Sequence, residues 1–471
     1  MASISPNKVH LNKTSMSFLE YTFANLWNRI IRLGRRRLTG GLDLGMLVID
    51  RRVSNKHFYI PQIKRAEHMV VLGKTGSGKT RLLLRMCLQD IQAGRGFVFF
   101  DHHGDTVPTL LAAIAEREKQ SGDDLSSKLV VIDPADSDWS VGLNVLEPSG
   151  RNPFIEVVSI AGILKEKWGL TTFGAPTEEL LRNSLFVLSE NGLTLVELAP
   201  LLTNSSFRAA CLKKLTNLDV RDYWESRFEP QSTAMKAMRR DPVLNKVSEF
   251  VSDPHFKHIL GQRHSTVDLV DCLDRGAWVV VDLSKGRLGR HSSTLGSLIL
   301  GQLKQAIFRR HARQIFTLYC DEIQNLLVTD SGIDTLMAEA RKFGVSVVSA
   351  NQFLEQFPKD MRSAIQATGS HVYFQLSPED AQQAAAMLDG GKPLAELLKN
   401  LPKRHCIAKS GHYPWQQVEV PQFELPTTAF ADLLTRSRAR FARLRSEIEQ
   451  DIRSRLPKPA MAEGEALNDW D

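Results

Sequence analysis

Eight consecutive residues, Gly73-Lys74-Thr75-Gly76-Ser77-Gly78-Lys79-Thr80, set glycines, a lysine and a hydroxyl at the spacing GxxxxGK[ST]. Glycines let backbone N–H groups curl around phosphate oxygens, and a following helix N-terminus adds partial positive charge. Lys79 then offers a point charge to the β- and γ-phosphates, Thr80 offers a hydroxyl to Mg²⁺, and Arg81 closes the candidate nucleotide-binding set. The apolar run Met69-Val70-Val71-Leu72 precedes the motif, and Arg81-Leu82-Leu83-Leu84-Arg85-Met86 follows with helical character. Strand, loop and helix in that order are the context a phosphate-binding loop requires. The expected ligands are ATP and Mg²⁺.

Hydrolysis needs a carboxylate that orients the metal and a second group that activates water. Of the strand-like runs that end in aspartate, those at Asp101, Asp282 and Asp321 compete for these roles, and only Asp321 is followed directly by glutamate. Asp321 is the expected metal residue and Glu322 the expected water-activating base; the plainer alternative is an acidic pair capping the next helix. Asp101, just past the phosphate-loop helix, is expected near the metal. Gln352, at the tip of a later strand, is placed to sense the γ-phosphate or, more simply, to cap a helix. Arg341 is a candidate arginine finger reaching a neighbour's nucleotide, with a surface salt bridge as its alternative.

These residues need a scaffold. Continuous apolar strands alternate with helices over about residues 57–133 and again from Ala277, with strands near Phe316–Tyr319, Val345–Val348, Val372–Phe374 and Cys406–Ala408. Such alternation predicts a mainly parallel sheet covered on both faces, with ligands at the carboxyl ends of the strands. From about Asn152 to Gly261 strand-like runs disappear and helical spacing takes over, so an all-α domain interrupts the α/β core. The expected divisions are an N-terminal helical segment (1–55), the first part of the core (56–148), the all-α insertion (149–265), the second part of the core (266–425), and a C-terminal helix with an acidic tail (426–471).

Phe18, Phe23, Leu26, Trp27, Ile30 and Leu33 lie near helical spacing ahead of Arg35-Arg36-Arg37. They read as a helix that docks on its own domain or a neighbouring subunit, or that lies on a membrane surface. After Pro426, arginines at 436, 438, 440, 443 and 445 stand among apolar residues and read as a solvated helix face, with nucleic-acid contact as the alternative. The 471 residues carry a net charge of +7, which suits a polyanionic partner. Five scattered cysteines with no CxxC pair give neither a disulfide framework nor a zinc site. No run approaches the ~18 apolar residues that read as a membrane span.

In series, GKTGSGKT, FFDHHGD, VIDPADSDWSVGLNVLEP, LSKGRLG, LYCDEIQN, EARKFG, SANQ and VYFQLSPEDA resemble the FtsK–HerA superfamily of P-loop motors. The likeness runs from about Ile60 to Pro421 and is greatest to the coupling-protein branch of conjugative and type IV secretion ATPases. It implies a RecA-like P-loop ATPase core with an inserted all-α domain, assembled as a hexameric ring with nucleotide at subunit interfaces. Position by position it assigns Lys79 and Thr80 to phosphate and Mg²⁺, Asp321 and Glu322 to metal and water, Arg341 to a trans-acting finger and Gln352 to a sensor. Lys285-Gly286-Arg287-Leu288-Gly289-Arg290 is expected to face the pore or an inter-subunit contact.

The implied activity is ATP-driven DNA translocation, with relaxosome or secretion-channel proteins as partners. The implied location is the cytoplasm, including the inner membrane face. A HerA-like motor acting with a nuclease and a non-motor ATP switch are the rival readings. Coupling proteins usually begin with transmembrane helices and HerA-type repair motors with a small β-barrel; the residues before the motor read as neither.

Overall fold

The computed structural model describes residues 41–148, 153–328, 333–357 and 359–457. The expected N-terminal helix and the acidic residues Glu463, Glu465, Asp469 and Asp471 lie outside them. β1 (Leu42–Ile49) and β2 (Arg52–Ile60) form a hairpin, and β3 (Met69–Leu72) leads through the glycine-rich loop into α1 (Lys79–Ala93). β4 (Phe97–Asp101), α2 (Val107–Ser121), β5 (Leu129–Ile132) and a short β6 (Trp139–Ser140) follow. The long helices of the insertion are α3 (Pro153–Lys167), α4 (Ala175–Glu190) and α5 (Thr233–Ser252). The core resumes with β7 (Trp278–Asp282), α6 (Ser292–Arg309), β8 (Phe316–Asp321), β9 (Val345–Asn351), β10 (Ser370–Tyr373), β11 (His405–Ser410) and β12 (Gln416–Glu419). α7 (Ala431–Phe441), β13 (Arg443–Leu444) and α8 (Arg445–Arg455) close the described chain.

Eleven strands make one sheet in the order β2-β1-β12-β11-β10-β3-β9-β8-β4-β7-β5. The run from β10 to β5 is parallel, so the carboxyl ends of β3, β4, β7, β8 and β9 share one edge. Alternation along each strand splits the core. Phe97, Phe99, Trp278, Val280 and Tyr319 face α1 and α2, whereas Val98, Phe100, Val279, Val281 and Leu318 face α6 and the insertion. Strands buried along their whole length, such as β4 and β7, read as apolar runs up to their closing aspartates because both faces are covered. The insertion has no strand among its described residues, as its spacing predicts, and its core is continuous with that sheet face through Leu164, Leu188, Trp224 and Phe250.

Two terminal expectations need correction. The described part of the segment 1–55 is the β1–β2 hairpin, not helix, and the hairpin extends the sheet through β12. Its two-residue turn puts Asp50 and Arg51 at φ 50° and 61°, the backbone that usually demands Asn-Gly, so the turn carries no sequence signal. The arginine-rich C-terminal segment is two helices, because Ala442 is extended (φ −130°, ψ 164°). Its arginines are not a free solvated face. Arg436 pairs with Glu118, Asp124 and Asp432, Arg438 with Asp136, and Arg440 with Asp124. α8 then crosses to the insertion, where Ile448 and Ile452 pack on Val196 and Arg455 Nη1 meets the fully buried Glu197 Oε1 at 2.8 Å.

A buried ionic cluster fixes the linker between β2 and β3 to the sheet. Arg65 donates to Asp90 Oδ1 at 2.8 Å and Oδ2 at 2.6 Å, and Tyr319 Oη and Arg95 Nε also bind the Asp90 carboxylate. Burial alone would raise the Asp90 pKa, but Arg65 and Arg95 outweigh it and hold the carboxyl below its ordinary value. A pKa depressed by folding gives stability that is present above the unfolded value and lost as pH falls through the folded one. Asp90→Asn would leave the Arg65 guanidinium buried without a counter-charge, at an expected cost of about 3 kcal/mol near neutral pH. Denaturant unfolding should show that gap, and the gap should close in acid as the wild-type carboxyl protonates. Among the described residues no helix is long and apolar enough to cross a membrane.

Candidate active site

The loop after β3 is built on close approach. A Cβ on Gly73 would stand 2.6 Å from Phe374 Cβ and 2.7 Å from Ser77 Oγ, so only glycine fits. Gly78 caps α1 at φ 123°, which turns the chain into the helix and aims its N-terminus at the loop. Lys74 N–H binds the Gln375 carbonyl at 2.8 Å and the Arg404 N–H binds the Ser77 carbonyl at 3.0 Å, so neighbouring strand ends hold the loop.

Lys79 is 6% exposed and lies back across its own loop, donating from Nζ to the Gly73 carbonyl at 2.7 Å and the Lys74 carbonyl at 3.3 Å. Burial lowers its pKa, with Glu322 and Asp321 acting in the opposite sense. Thr80 Oγ1 donates to Asp321 Oδ2 at 2.7 Å, joining the start of α1 to the end of β8. Burial raises the Asp321 pKa, as does Glu322, while the Thr80 hydrogen bond, Lys79 and His103 oppose the rise. A hydroxyl and a carboxylate meeting there form a hard-oxygen donor set suited to Mg²⁺. No cluster of three or more His, Cys, Asp or Glu able to hold a metal occurs among the described residues.

Glu322 is 8% exposed and stands in the left-handed backbone region at φ 55°. Its carboxylate accepts from Gln352 Nε2 at 3.1 Å and from Gln324 Nε2. Gln352 Oε1 in turn accepts from Thr75 Oγ1 at 3.0 Å. The expected sensor therefore bridges the phosphate loop and the expected base. Gln324 and its neighbour Asn351, whose amide binds Gln324 Oε1, escaped the sequence reading. Position alone marked Gln324, two residues beyond a candidate base.

Arg81 turns toward the segment after β12. Its guanidinium lies 4.4 Å from the Phe423 ring centroid and donates to the Phe423 carbonyl at 2.7 Å. A cavity of about 480 Å³ opens there, lined by Arg81, Arg404, Gln422, Phe423 and Glu424, four of them unforeseen from sequence.

Arg341 is not part of this constellation. It sits in the turn Ala340–Phe343 before β9, its side chain is 63% exposed, and it pairs with Glu67 at 3.4 Å. Seven residues of β9, roughly 20 Å, separate that end of the strand from Gln352. His68, beside it at φ 65°, accepts from the Val347 N–H at 3.1 Å and has its pKa pushed down to about 4 by burial, with Arg341 adding to the shift.

Asp101 ends β4 at the same sheet edge as Asp321. Its two oxygens accept the backbone N–H groups of His103, Gly104, Thr106 and Val107 at 2.9–3.2 Å, so its carboxylate is committed to the turn that leads into α2. Asp282, pushed up to about 6 by burial, pairs with Arg287, which also reaches Asp133.

The family described as "Helicase HerA, central domain" matches residues 62–303, just over half of the chain. No curated protein sequence matches. Among solved structures, the unbound bacterial conjugative coupling protein TrwB superposes with a TM-score of 0.58 at 18% identity over 79% of this chain and 89% of that one. The plasmid coupling protein TrwB in complex with ADP and Mg²⁺ gives 0.59 at 17% identity over 83% and 97%. VirB4 of Thermoanaerobacter pseudethanolicus gives 0.56 at 13% identity over 81% and 97%. At such identities the structural likenesses speak to the fold: a P-loop core with a large, mostly parallel sheet.

Proposed function

The chain belongs to the HerA helicase central-domain family of P-loop ATPases, and from that premise we propose an ATP- and Mg²⁺-dependent, ring-forming DNA translocase of the coupling-protein type. One observation carries the proposal: Thr80 of the phosphate loop bonds to Asp321 at 2.7 Å, with Glu322 next in sequence and linked through Gln352 back to Thr75. Lys79 exchanges its loop carbonyls for the β- and γ-phosphates. Thr80 and Asp321 hold Mg²⁺, which when bound offsets phosphate charge. Glu322 takes the proton of the attacking water, and Gln352 registers whether a γ-phosphate lies beside Thr75. The cavity beside Arg81 and Phe423 offers the nucleoside an apolar face and hydrogen-bonding groups.

The exposed Arg341, at the opposite end of β9 from its own loop, serves a neighbouring subunit's nucleotide in this reading, which favours a ring, with six subunits as the proposed number. The coupling protein TrwB solved with ADP and Mg²⁺ supports the ligand assignment. Feeding DNA to a transfer or secretion channel, with relaxosome or channel proteins as partners at the inner membrane face, is the process this reading favours.

Steady-state ATP hydrolysis with and without single- and double-stranded DNA tests the proposal. DNA should stimulate the wild type, and Lys79→Ala should reduce turnover by about a hundredfold through loss of the phosphate-binding charge. DNA affinity should fall steeply with salt, because Lys and Arg contacts to phosphates displace counterions. Hydrolysis indifferent to DNA would transfer the assignment to an ATP switch acting on a protein partner.

A further inference from the structure

The loop that carries Glu322 is tied down by two lysines from different parts of the chain. Lys285 Nζ donates to Asn325 Oδ1 at 2.7 Å, and Lys167 Nζ donates to the Asn325 carbonyl at 3.1 Å. Asn325 turns its other polar groups on Glu322. Its backbone N–H reaches the Glu322 carbonyl at 3.0 Å and its side-chain amide reaches the same oxygen at 3.1 Å. All four hydrogen-bonding groups of this asparagine are thereby committed. A glutamate at φ 55° persists only where its surroundings impose that backbone; the Ala350 carbonyl holds its N–H at 2.9 Å, and Asn325 holds its carbonyl.

The charges are arranged unevenly. Arg287 is neutralised by Asp133 and Asp282, whereas the exposed Lys285, two residues earlier, is bonded to a neutral amide. Lys167, at the end of the first insertion helix, feels burial first and then the like charge of Lys285, both of which lower its pKa against the pull of Glu166. His102 lies between the same fields, 2% exposed, with neither ring nitrogen bonded. Two ammonium groups converging on one neutral asparagine make a place where an incoming phosphate gains more than the amide it displaces.

We propose that Lys285 is a polyanion-operated latch on Glu322, with Asn325 the positioning residue between them. A nucleic-acid phosphate that captures Lys285 removes the outer anchor of Asn325. The Glu322 loop then leaves its left-handed resting conformation, and its carboxylate is released from Gln324 and Gln352 to act on water. Lys167 brings the insertion into the same contact, so its first helix and the segment after β7 bear on one loop. The inference rests on Glu322 being the water-activating carboxylate.

The test uses the full chain, a DNA duplex and a single strand as probes, and the variants Lys285→Ala, Lys285→Arg and Asn325→Ala. Lys285→Ala should raise the DNA-free kcat roughly fivefold, leave the KM for ATP unchanged and shrink the stimulation by DNA, as expected for loss of one restraining hydrogen bond. It should also reduce the salt slope of DNA binding by about one, as loss of one phosphate contact requires. Lys285→Arg should behave as wild type. Asn325→Ala should raise the DNA-free rate with the salt slope intact, separating the relay from the contact. A Lys285→Ala protein whose DNA-free turnover stays at or below the wild-type level overturns the latch. Wild-type hydrolysis indifferent to DNA overturns the translocase reading together with the operation of the latch by nucleic acid, an outcome distinct from loss of the latch alone.

Discussion

Exchanging Glu322 for glutamine is expected to lower kcat by roughly a thousandfold while leaving ATP affinity within about threefold of wild type. The two side chains match in size, and an amide retains hydrogen bonding to Gln352 and Gln324. What disappears is the negative charge proposed to polarise water and take its proton. Glu322 is nearly buried, so bulk solvent supplies no substitute base. Lys79, Thr80 and Asp321 stay in place, and nucleotide should remain bound. Single-turnover hydrolysis alongside equilibrium nucleotide binding separates the two effects. A glutamate that merely capped the following turn would give a loss of no more than about tenfold, comparable to one hydrogen bond.

Arg341→Ala should lower turnover by a comparable factor, about a thousandfold, for a different reason. The residue cannot reach its own phosphate loop, because the length of β9 lies between them. Its loss should leave the affinity of isolated subunits for ATP unaltered and be felt only after assembly. Mixing makes the point testable. In a ring built from Arg341→Ala and Glu322→Gln subunits at equal ratio, roughly a quarter of interfaces join an intact arginine to an intact glutamate. Activity should therefore reappear from two nearly inactive proteins. No recovery on mixing would place the arginine outside the neighbour's site.

Much of the site is legible because its chemistry restricts residue type and spacing together. Glycines at fixed offsets, Lys79-Thr80 at a helix start and Asp321-Glu322 at a strand end leave few other readings. The parallel sheet declares itself through unbroken apolar runs. Residues that act through geometry alone leave no such trace. Gln324 and Asn325 are ordinary polar residues until the chain folds Glu322 into a left-handed conformation between them. Phe423 and Arg404 reach the loop from strand ends more than 300 residues away in sequence, as the 342-residue separation of Arg81 and Phe423 illustrates. The β1–β2 turn uses Asp50-Arg51 where a glycine would have announced it. The four backbone N–H groups that Asp101 holds were not legible either, because a strand-end aspartate looks the same in sequence whatever its oxygens meet.

The contact between α8 and the insertion has a consequence for the order in which the protein is made. Glu197 and Arg455 are 258 residues apart, and the glutamate is fully buried. At ribosomal rates of about 5–20 residues per second, roughly ten to fifty seconds pass between synthesis of the two. During that interval the nascent insertion holds a carboxylate whose counter-charge does not yet exist, and Val196 lacks the isoleucines that cover it. The insertion emerges in the middle of translation but reaches its final packing only once α8 has cleared the exit tunnel. Nascent chains halted before Arg445 would therefore carry every hydrolytic motif on a molecule still open to chaperones and proteases.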